Sequence, residues 1–318
     1  MRLLVLGGTA FVGRAIVADA LEQGDDVTVF GRGRTGSGLF PGVRRLTGDR
    51  DTDDYEALRA EHAGRGRSWD AVVDVSGYVP RHVGGAMDAL GDGVGRYLFI
   101  SSNAVYAGPG GDEDTPRKEP VRHTEVLDNE TYGRLKVACE DDVSARYGRR
   151  ATVVRPGKVV GPHDTSGSFP YWVRRAAAGG RVALPADPAQ PVQVVDVRDL
   201  ARLVVGLLHN DRAGAFHAVG PAEPTTLAGL IGTCARTAGS TVEIVPVPPS
   251  SAPSPFPLVR ADTFTQRRSP ARARAAGLPA TPLAKTAADV LAWDRERGEP
   301  PLEEGFTAEA EARALATG

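Results

Sequence analysis

The chain opens on an apolar run, Leu3-Leu4-Val5-Leu6, that passes directly into Gly7-Gly8-Thr9-Ala10-Phe11-Val12-Gly13 and then into a helical pattern over 12–23. Strand, glycine-rich turn and helix start come one after another in the order a pyrophosphate requires. Gly7 permits the tight turn, and the backbone amides at the positive end of the helix face the anion. Gly13 lets that helix lie close to the strand. The spacing is G-x-x-A-x-x-G, with Ala10 where a middle glycine commonly stands, and Gly7, Thr9, Ala10, Phe11, Val12 and Gly13 become candidate cofactor contacts. In a chain with 38 glycines such a turn says little alone, so its place on the first strand carries the weight.

The same grammar repeats through the first half of the chain. Apolar runs at 2–6, 26–30, 43–46, 71–75, 97–100 and 151–154 read as strands, and 12–23, 53–62, 81–90 and 132–147 between them read as helices. Several of these strands are apolar throughout, as happens when both faces of a parallel sheet are covered. The expectation is an α/β fold, a doubly wound parallel sheet of the Rossmann type over residues 1–160, with return segments at 190–215 and 284–297. A smaller C-terminal substrate lobe is expected over 161–318; at 318 residues the chain has length for both. Past Pro156 the rhythm loosens. Segments 169–178, 197–208 and 284–297 read as helices, 194–195 and 242–247 as strands, and 267–276 as a basic helix with a solvated face. The Pro/Ser-rich stretch 246–257 excludes regular structure.

Eighteen residues beyond Gly13, the second strand ends in Phe30-Gly31-Arg32-Gly33-Arg34. An NAD enzyme of this fold commonly places a carboxylate there for the ribose hydroxyls. Gly31 supplies none. Arg32 and Arg34 are placed to grip a 2′-phosphate through charge-assisted hydrogen bonds, or else are two solvated arginines of an arginine-rich chain. The preferred cofactor is therefore NADP(H), with NAD(H) as the alternative. Asp49 and Arg50 stand where adenine contacts are expected, and Ser76 and Gly77 where the chain would run beneath the cofactor.

Catalytic candidates come from the fifth strand, which ends in Ser101-Ser102-Asn103, and from Tyr132-Gly133-Arg134-Leu135-Lys136 thirty residues on. Four-residue spacing stacks Tyr132 and Lys136 on one helical face. A phenol of pKa near 10 is a poor acid–base group at neutral pH, and an adjacent ammonium is expected to lower it. Ser102 would hold the substrate oxygen, and Lys136 could also reach the nicotinamide ribose. Only four of the 38 basic residues are lysines (Lys118, Lys136, Lys158, Lys285), so a lysine here points to a need for an ammonium. The bland alternative for Tyr132 is a half-buried aromatic capping a core.

These motifs resemble the extended short-chain dehydrogenase/reductase superfamily in its NAD-dependent epimerase/dehydratase branch. The glycine turn and Val72-Val73-Asp74-Val75-Ser76-Gly77-Tyr78 resemble the atypical subgroup that includes chloroplast stem-loop-binding proteins. Arg155-Pro156-Gly157, Val159-Val160-Gly161-Pro162 and Gln193-Val194-Val195-Asp196-Val197-Arg198-Asp199-Leu200 continue the likeness over residues 1–225, with a weaker echo from Gly277-Leu278 to Trp293. The resemblance implies Ser102, Tyr132 and Lys136 as a Ser/Tyr/Lys triad, with backbone contacts to the nicotinamide amide from Arg155, Pro156 and Gly157. Departures narrow it. Asn103 and Ala104 replace the acidic pair of sugar-nucleotide dehydratases. Lys158 stands where many nucleotide-sugar enzymes have asparagine, either neutralising an anionic substrate or extending to solvent. Tyr78, Asn103, Lys158, Tyr171, Trp172 and Gln193 are the substrate-binding candidates by position, with core packing the alternative for Tyr171 and Trp172.

Composition excludes other classes. A net charge of −2 argues against a generic nucleic-acid or membrane-surface binder. Cys139 and Cys234 are too few for a disulfide framework or zinc site and read as buried thiols, and His163 and Asp164 lack further ligands for a metal. With no leader pattern and no long apolar run, a cytoplasmic location is expected. The partner is then a small molecule, with no nucleic acid and no membrane, and a homodimer remains open. The leading reading is a hydride-transferring enzyme for a carbonyl or imine of a small metabolite. The alternatives are a nucleotide-sugar epimerase holding its cofactor tightly, and a non-catalytic NAD(P)- or RNA-binding protein.

Overall fold

The computed structural model describes residues 1–63, 69–221 and 223–317. In chain order its elements are β1 (Arg2–Leu6), α1 (Phe11–Glu22), β2 (Asp26–Gly31), β3 (Arg44–Thr47), α2 (Glu56–Ala63), β4 (Trp69–Asp74), α3 (Pro80–Leu90), β5 (Val94–Ile100), α4 (Tyr132–Tyr147) and β6 (Ala151–Pro156). Next come β7 (Lys158–Val160), α5 (Ser168–Ala178), β8 (Gly180–Leu184), β9 (Pro191–Val192), β10 (Val194–Asp196), α6 (Val197–His209) and β11 (Gly214–Ala218). The last are β12 (Thr225–Thr226), α7 (Leu227–Thr237), β13 (Val242–Pro246), α8 (Ala271–Ala275), α9 (Leu283–Glu296) and α10 (Ala308–Thr317).

The chain divides into two compact units. The first holds Met1–Gly157, Arg198–Ala218 and Arg268–Pro279. Its seven-stranded sheet has the order β11-β6-β5-β4-β1-β2-β3, and every pairing is parallel. This is the doubly wound Rossmann arrangement. The winding reverses at β1, where strand order turns from β2 on one side to β4 on the other, and the carboxyl ends there bracket a crevice. Leu3, Leu4, Val5 and Leu6 are wholly buried, which is why β1 carries no alternation. Burial of each contributes roughly 1.5–3 kcal/mol.

The second unit holds Lys158–Val197, Val219–Arg267 and Ala280–Gly318. Its strands form three two-stranded sheets, β10-β7, β12-β9 and β13-β8. Its core gathers Phe169, Trp172, Leu230, Ile231, Phe256 and Val290.

Several expectations need correcting. The return segments to the first unit begin at Arg198 and at Arg268, and 284–297 belongs to the second unit instead. The expected helix at 53–62 starts only at Glu56, because Arg50–Thr52 forms a 3-10 turn closed by Asp53 in the left-handed region. The basic helix at 267–276 shrinks to α8. Arg268 is buried, not solvated: it stacks 4.0 Å over the Tyr106 ring and donates to the carbonyls of Gly108 and Gly110. Cys139 and Cys234 are free and buried. Among the described residues no helix is long and apolar enough to cross a membrane, and no group of His, Cys, Asp or Glu could hold a metal ion.

Candidate functional site

The glycine turn sits above the reversal point of the first unit. Gly7 has φ +92°, and a Cβ added to it would meet the Ser76 side chain at 2.9 Å. A Cβ on Gly13 would come within 2.0 Å of the Gly7 carbonyl oxygen, so α1 can approach the strand this closely only with glycine there. Ala10 occupies the N-cap of α1 in extended backbone with no side-chain cap, and the first turn carries no acid. A serine or aspartate cap would satisfy those amides internally; Ala10 leaves them for an external anion. Thr9 Oγ1 lies 3.0 Å from Thr35 Oγ1, tying the turn to the segment after β2.

At the end of β2, a Cβ on Gly31 would meet nothing within 4 Å. Arg32 stands 3.5 Å from Asp51, and Arg34 stands 3.7 Å from Asp49. Asp49 also accepts from the Asp51 amide. Arg50 goes elsewhere than expected. Its guanidinium is buried and donates twice to Asp74 at 2.7 Å, then to Ser76 Oγ at 3.1 Å and to the His82 carbonyl. It is therefore turned under the strand ends, away from an adenine-facing role.

Ser102 comes after β5 as the cap of a 3-10 turn at Asn103–Val105, its Oγ accepting from the Ala104 amide at 3.1 Å. Tyr132 is the first residue of α4, and the Ser102 hydroxyl is near enough to its phenol to work against the effect of burial on it. What brings them together is Gly133, where a Cβ would strike the Ala104 carbonyl oxygen at 2.2 Å. Gly133 is not among the residues that spacing singles out; its one signal is a glycine in the first turn of a helix, where it otherwise weakens the helix. Ser101, beside Ser102, is buried, and its hydroxyl has no partner among the described residues.

Lys136 lies one turn beyond Tyr132 and is almost wholly buried. Its ammonium donates to the carbonyls of Gly77 and Ile100, both at 2.7 Å, and lies 4.2 Å over the Phe99 ring. Burial pushes its pKa down to about 8, against the opposing pull of Cys139, Asp74 and Glu140. The expected depression of the Tyr132 phenol is not found. Burial raises it above 10, and the nearby Ser102 hydroxyl works the other way. The lysine charge is engaged by two carbonyls, while desolvation of the phenolate dominates.

Further along, the Arg155 side chain is held by Glu140 and by the Tyr106 hydroxyl. The Gly157 amide donates to the Ala218 carbonyl, and proline has no N–H, so Pro156 and Gly157 have only carbonyls to present. Tyr78 is 45% exposed, with its ring 5.5 Å from the Lys136 ammonium. Asn103 is buried in its turn. Lys158, Tyr171, Trp172 and Gln193 belong to the second unit. There Lys158 donates to Ser166 Oγ at 2.9 Å, and the Gln193 backbone N–H donates to Gln266 Oε1. Tyr171 and Trp172 are core residues: the indole N–H donates to the Pro257 carbonyl, and the phenol accepts from the Phe306 amide. Of the two readings left open for them, core packing is where the structure places both side chains.

The donor set fits a dinucleotide. An uncapped helix start, a glycine cradle that any side chain would fill and an orphaned hydroxyl beside Ser102 are features a bound pyrophosphate and nicotinamide would explain. Parallel sheet, central reversal and glycine turn define a nucleotide-binding α/β protein of the Rossmann class. The chain belongs to the NAD dependent epimerase/dehydratase family, whose profile matches residues 3–219.

It is 25% identical over 258 residues to the chloroplast stem-loop binding protein of 41 kDa b of Arabidopsis thaliana, covering 75% of this chain and 63% of that one. It is 30% identical over 222 residues to the 2′-dehydrokanamycin reductase of Streptomyces kanamyceticus, covering 67% of this chain and 59% of that one. The chain thus spans less than two thirds of the length of these relatives. In fold it is similar to WbmH of Bordetella bronchiseptica, solved in complex with NAD+, with a TM-score of 0.68 and 22% identity over 93% of this chain and 99% of that one.

Proposed function

We propose that the protein is an NADP(H)-dependent oxidoreductase acting on a carbonyl or imine carbon of a small metabolite. The observation that carries the reading is the close approach of Gly133 to the Ala104 carbonyl, which brings the start of α4 with Tyr132 up to the turn after Ser102, with buried Lys136 one turn away. Gly7 through Gly13 would hold the pyrophosphate, Asp49 the adenine, Arg32 and Arg34 a 2′-phosphate, and the carbonyls of Pro156 and Gly157 the carboxamide. When bound, the nicotinamide supplies or accepts the hydride at the substrate carbon. Ser102 orients the substrate oxygen. Tyr132 moves the proton at that oxygen, and the Lys136 ammonium one turn away would offset only part of the cost that burial places on the phenolate. Tyr78 and Asn103 are the proposed determinants of substrate choice in the first unit.

Dehydration is disfavoured because the chain lacks acids at 103 and 104, and net reduction is preferred to nucleotide-sugar epimerisation because Lys158 stands where many nucleotide-sugar enzymes have asparagine and one relative is a reductase by name. The likeness to a stem-loop binding protein favours RNA as a second reading, against which the net charge of −2 weighs. Stoichiometric NADPH consumption on a panel of ketones, imines and nucleotide sugars tests the proposal. Consumption with at least one ketone or imine supports it. Tight, salt-sensitive RNA binding without any redox turnover overturns it.

A further inference from the structure

Lys136 has a part in proton handling, but the buried charged cluster beside it has none. Asp74 ends β4 next to Leu6 of β1, is wholly buried, and takes three hydrogen bonds: two from Arg50 and one from the Tyr97 hydroxyl at 2.7 Å. Burying such a pair is costly unless its geometry is nearly ideal, so a packed apolar pair would serve stability as well. What it does locally is more specific. Arg50 reaches past Asp74 to Ser76 Oγ, and Asp74 Oδ2 lies so close beneath Gly77 that a Cβ there would meet it at 2.9 Å. The Gly77 carbonyl, one peptide from this clamp, is one of the two that receive the Lys136 ammonium.

We infer that Asp74 is a positioning residue for Lys136: clamped by Arg50 beneath Gly77, it fixes the strand-end carbonyl that holds the ammonium and supplies negative charge facing it. The charged and titratable groups around Lys136 are Tyr132, Cys139 and Glu140 on its own helix, Tyr78 with its ring 5.5 Å away, Asp74 on β4 and Arg50 on the 3-10 turn. Glu140 is engaged by Arg155 and Arg117 and pulls on Lys136 less than Asp74 does, although Asp74 too is paired, with Arg50. Arg50 opposes the ammonium. Asp74 is thus the carboxylate whose removal should be felt at Lys136.

The inference rests on the reading of Lys136 as part of the proton-handling site, but its test needs neither substrate nor cofactor. With only four lysines, the chain can be labelled with 13Cε-lysine, and the Lys136 resonance assigned by replacing Lys118, Lys158 and Lys285 in turn with arginine. In the unaltered protein Lys136 should titrate near pH 8, apart from the other three. Asp74→Asn should move that titration down by about one unit or more, a tenfold change in acidity. Wild-type titration in folded Asp74→Asn overturns the inference. If that variant does not fold, Arg50→Lys decides. It keeps the charge but gives up the two-fold clamp, and a downward move of about threefold or more supports the inference, while no move overturns it. A protein inactive on every carbonyl would leave this titration readable, so the two readings fail separately.

Discussion

Arg32 and Arg34, just past β2, meet Asp51 and Asp49 at 3.5 and 3.7 Å with 51% and 70% of their side chains in solvent. Arg50, between those two aspartates in sequence, meets Asp74 at 2.7 Å with both groups out of water. The chemistry is the same, an arginine on a carboxylate, but the surroundings give it opposite uses. Exposed pairs contribute about 0–1 kcal/mol and can exchange partners cheaply, which suits the 2′-phosphate grip proposed for these two arginines. The buried pair cannot exchange. Burial alone would raise the Asp74 pKa, yet the Arg50 charge and its hydrogen bonds, with that of Tyr97, hold it below the usual carboxylate range. Position along the chain suggested three arginines for one cofactor end; burial separates two adaptable ones from a fixed one.

The contrast breaks first, if it breaks, on stability. Asp74→Ala leaves Arg50 charged and unpaired and should cost about 3–5 kcal/mol in a denaturant melt, while Asp51→Ala should cost less than about 0.5 kcal/mol. Equal costs would erase the distinction. Next comes cofactor affinity. Replacing Arg32 and Arg34 together by alanine removes charge-assisted hydrogen bonds of roughly 1.5–3 kcal/mol, so NADPH should bind about 10- to 100-fold more weakly by calorimetry. NADH affinity and the melting temperature should hardly move.

A pH series sharpens the buried side. Turnover should fall about tenfold per unit above the Lys136 pKa of about 8 as the ammonium loses its proton. Stability should run the other way. The unfolded lysine keeps its proton up to its ordinary value of 10.5, so this group's contribution rises with pH between about 8 and 10.5 and is constant below. Asp74 adds the familiar acid limb: its stabilisation is present at neutral pH and is lost as pH falls through its lowered pKa. The smallest effect is Asp51→Asn, which removes the carboxylate beside Arg32; on the proposed reading NADPH should bind about threefold more tightly, with NADH unchanged.

The sheet of the first unit was legible because its strands are covered on both faces and read as unbroken apolar runs, Leu3–Leu6 above all. The second unit was not, because its strands pair over long stretches of chain. Gly180 faces Val242 and Lys158 faces Val194, with no hairpin turn to announce either pairing. Helix α7 buries Leu227, Leu230, Ile231, Cys234 and Ala235 at regular helical spacing, yet Gly229 and Gly232 dilute the signal that an unbroken pattern would give. At the site, Tyr132, Lys136 and Ser102 could be named from spacing and strand order. Gly133 and Asp74 could not, since their roles are approaches across the fold: a helix start against a carbonyl, a carboxylate beneath a glycine.

Proton handling by Tyr132 is tested most directly by single-turnover hydride transfer from deuterated NADPH to an accepted carbonyl, comparing the unaltered protein with Tyr132→Phe. The variant should bind NADPH with unchanged affinity and transfer hydride about 100-fold or more slowly, with no recovery at high pH. Transfer at the unaltered rate would contradict that role, for the proton would then come from somewhere other than the phenol that Gly133 sets against Ser102.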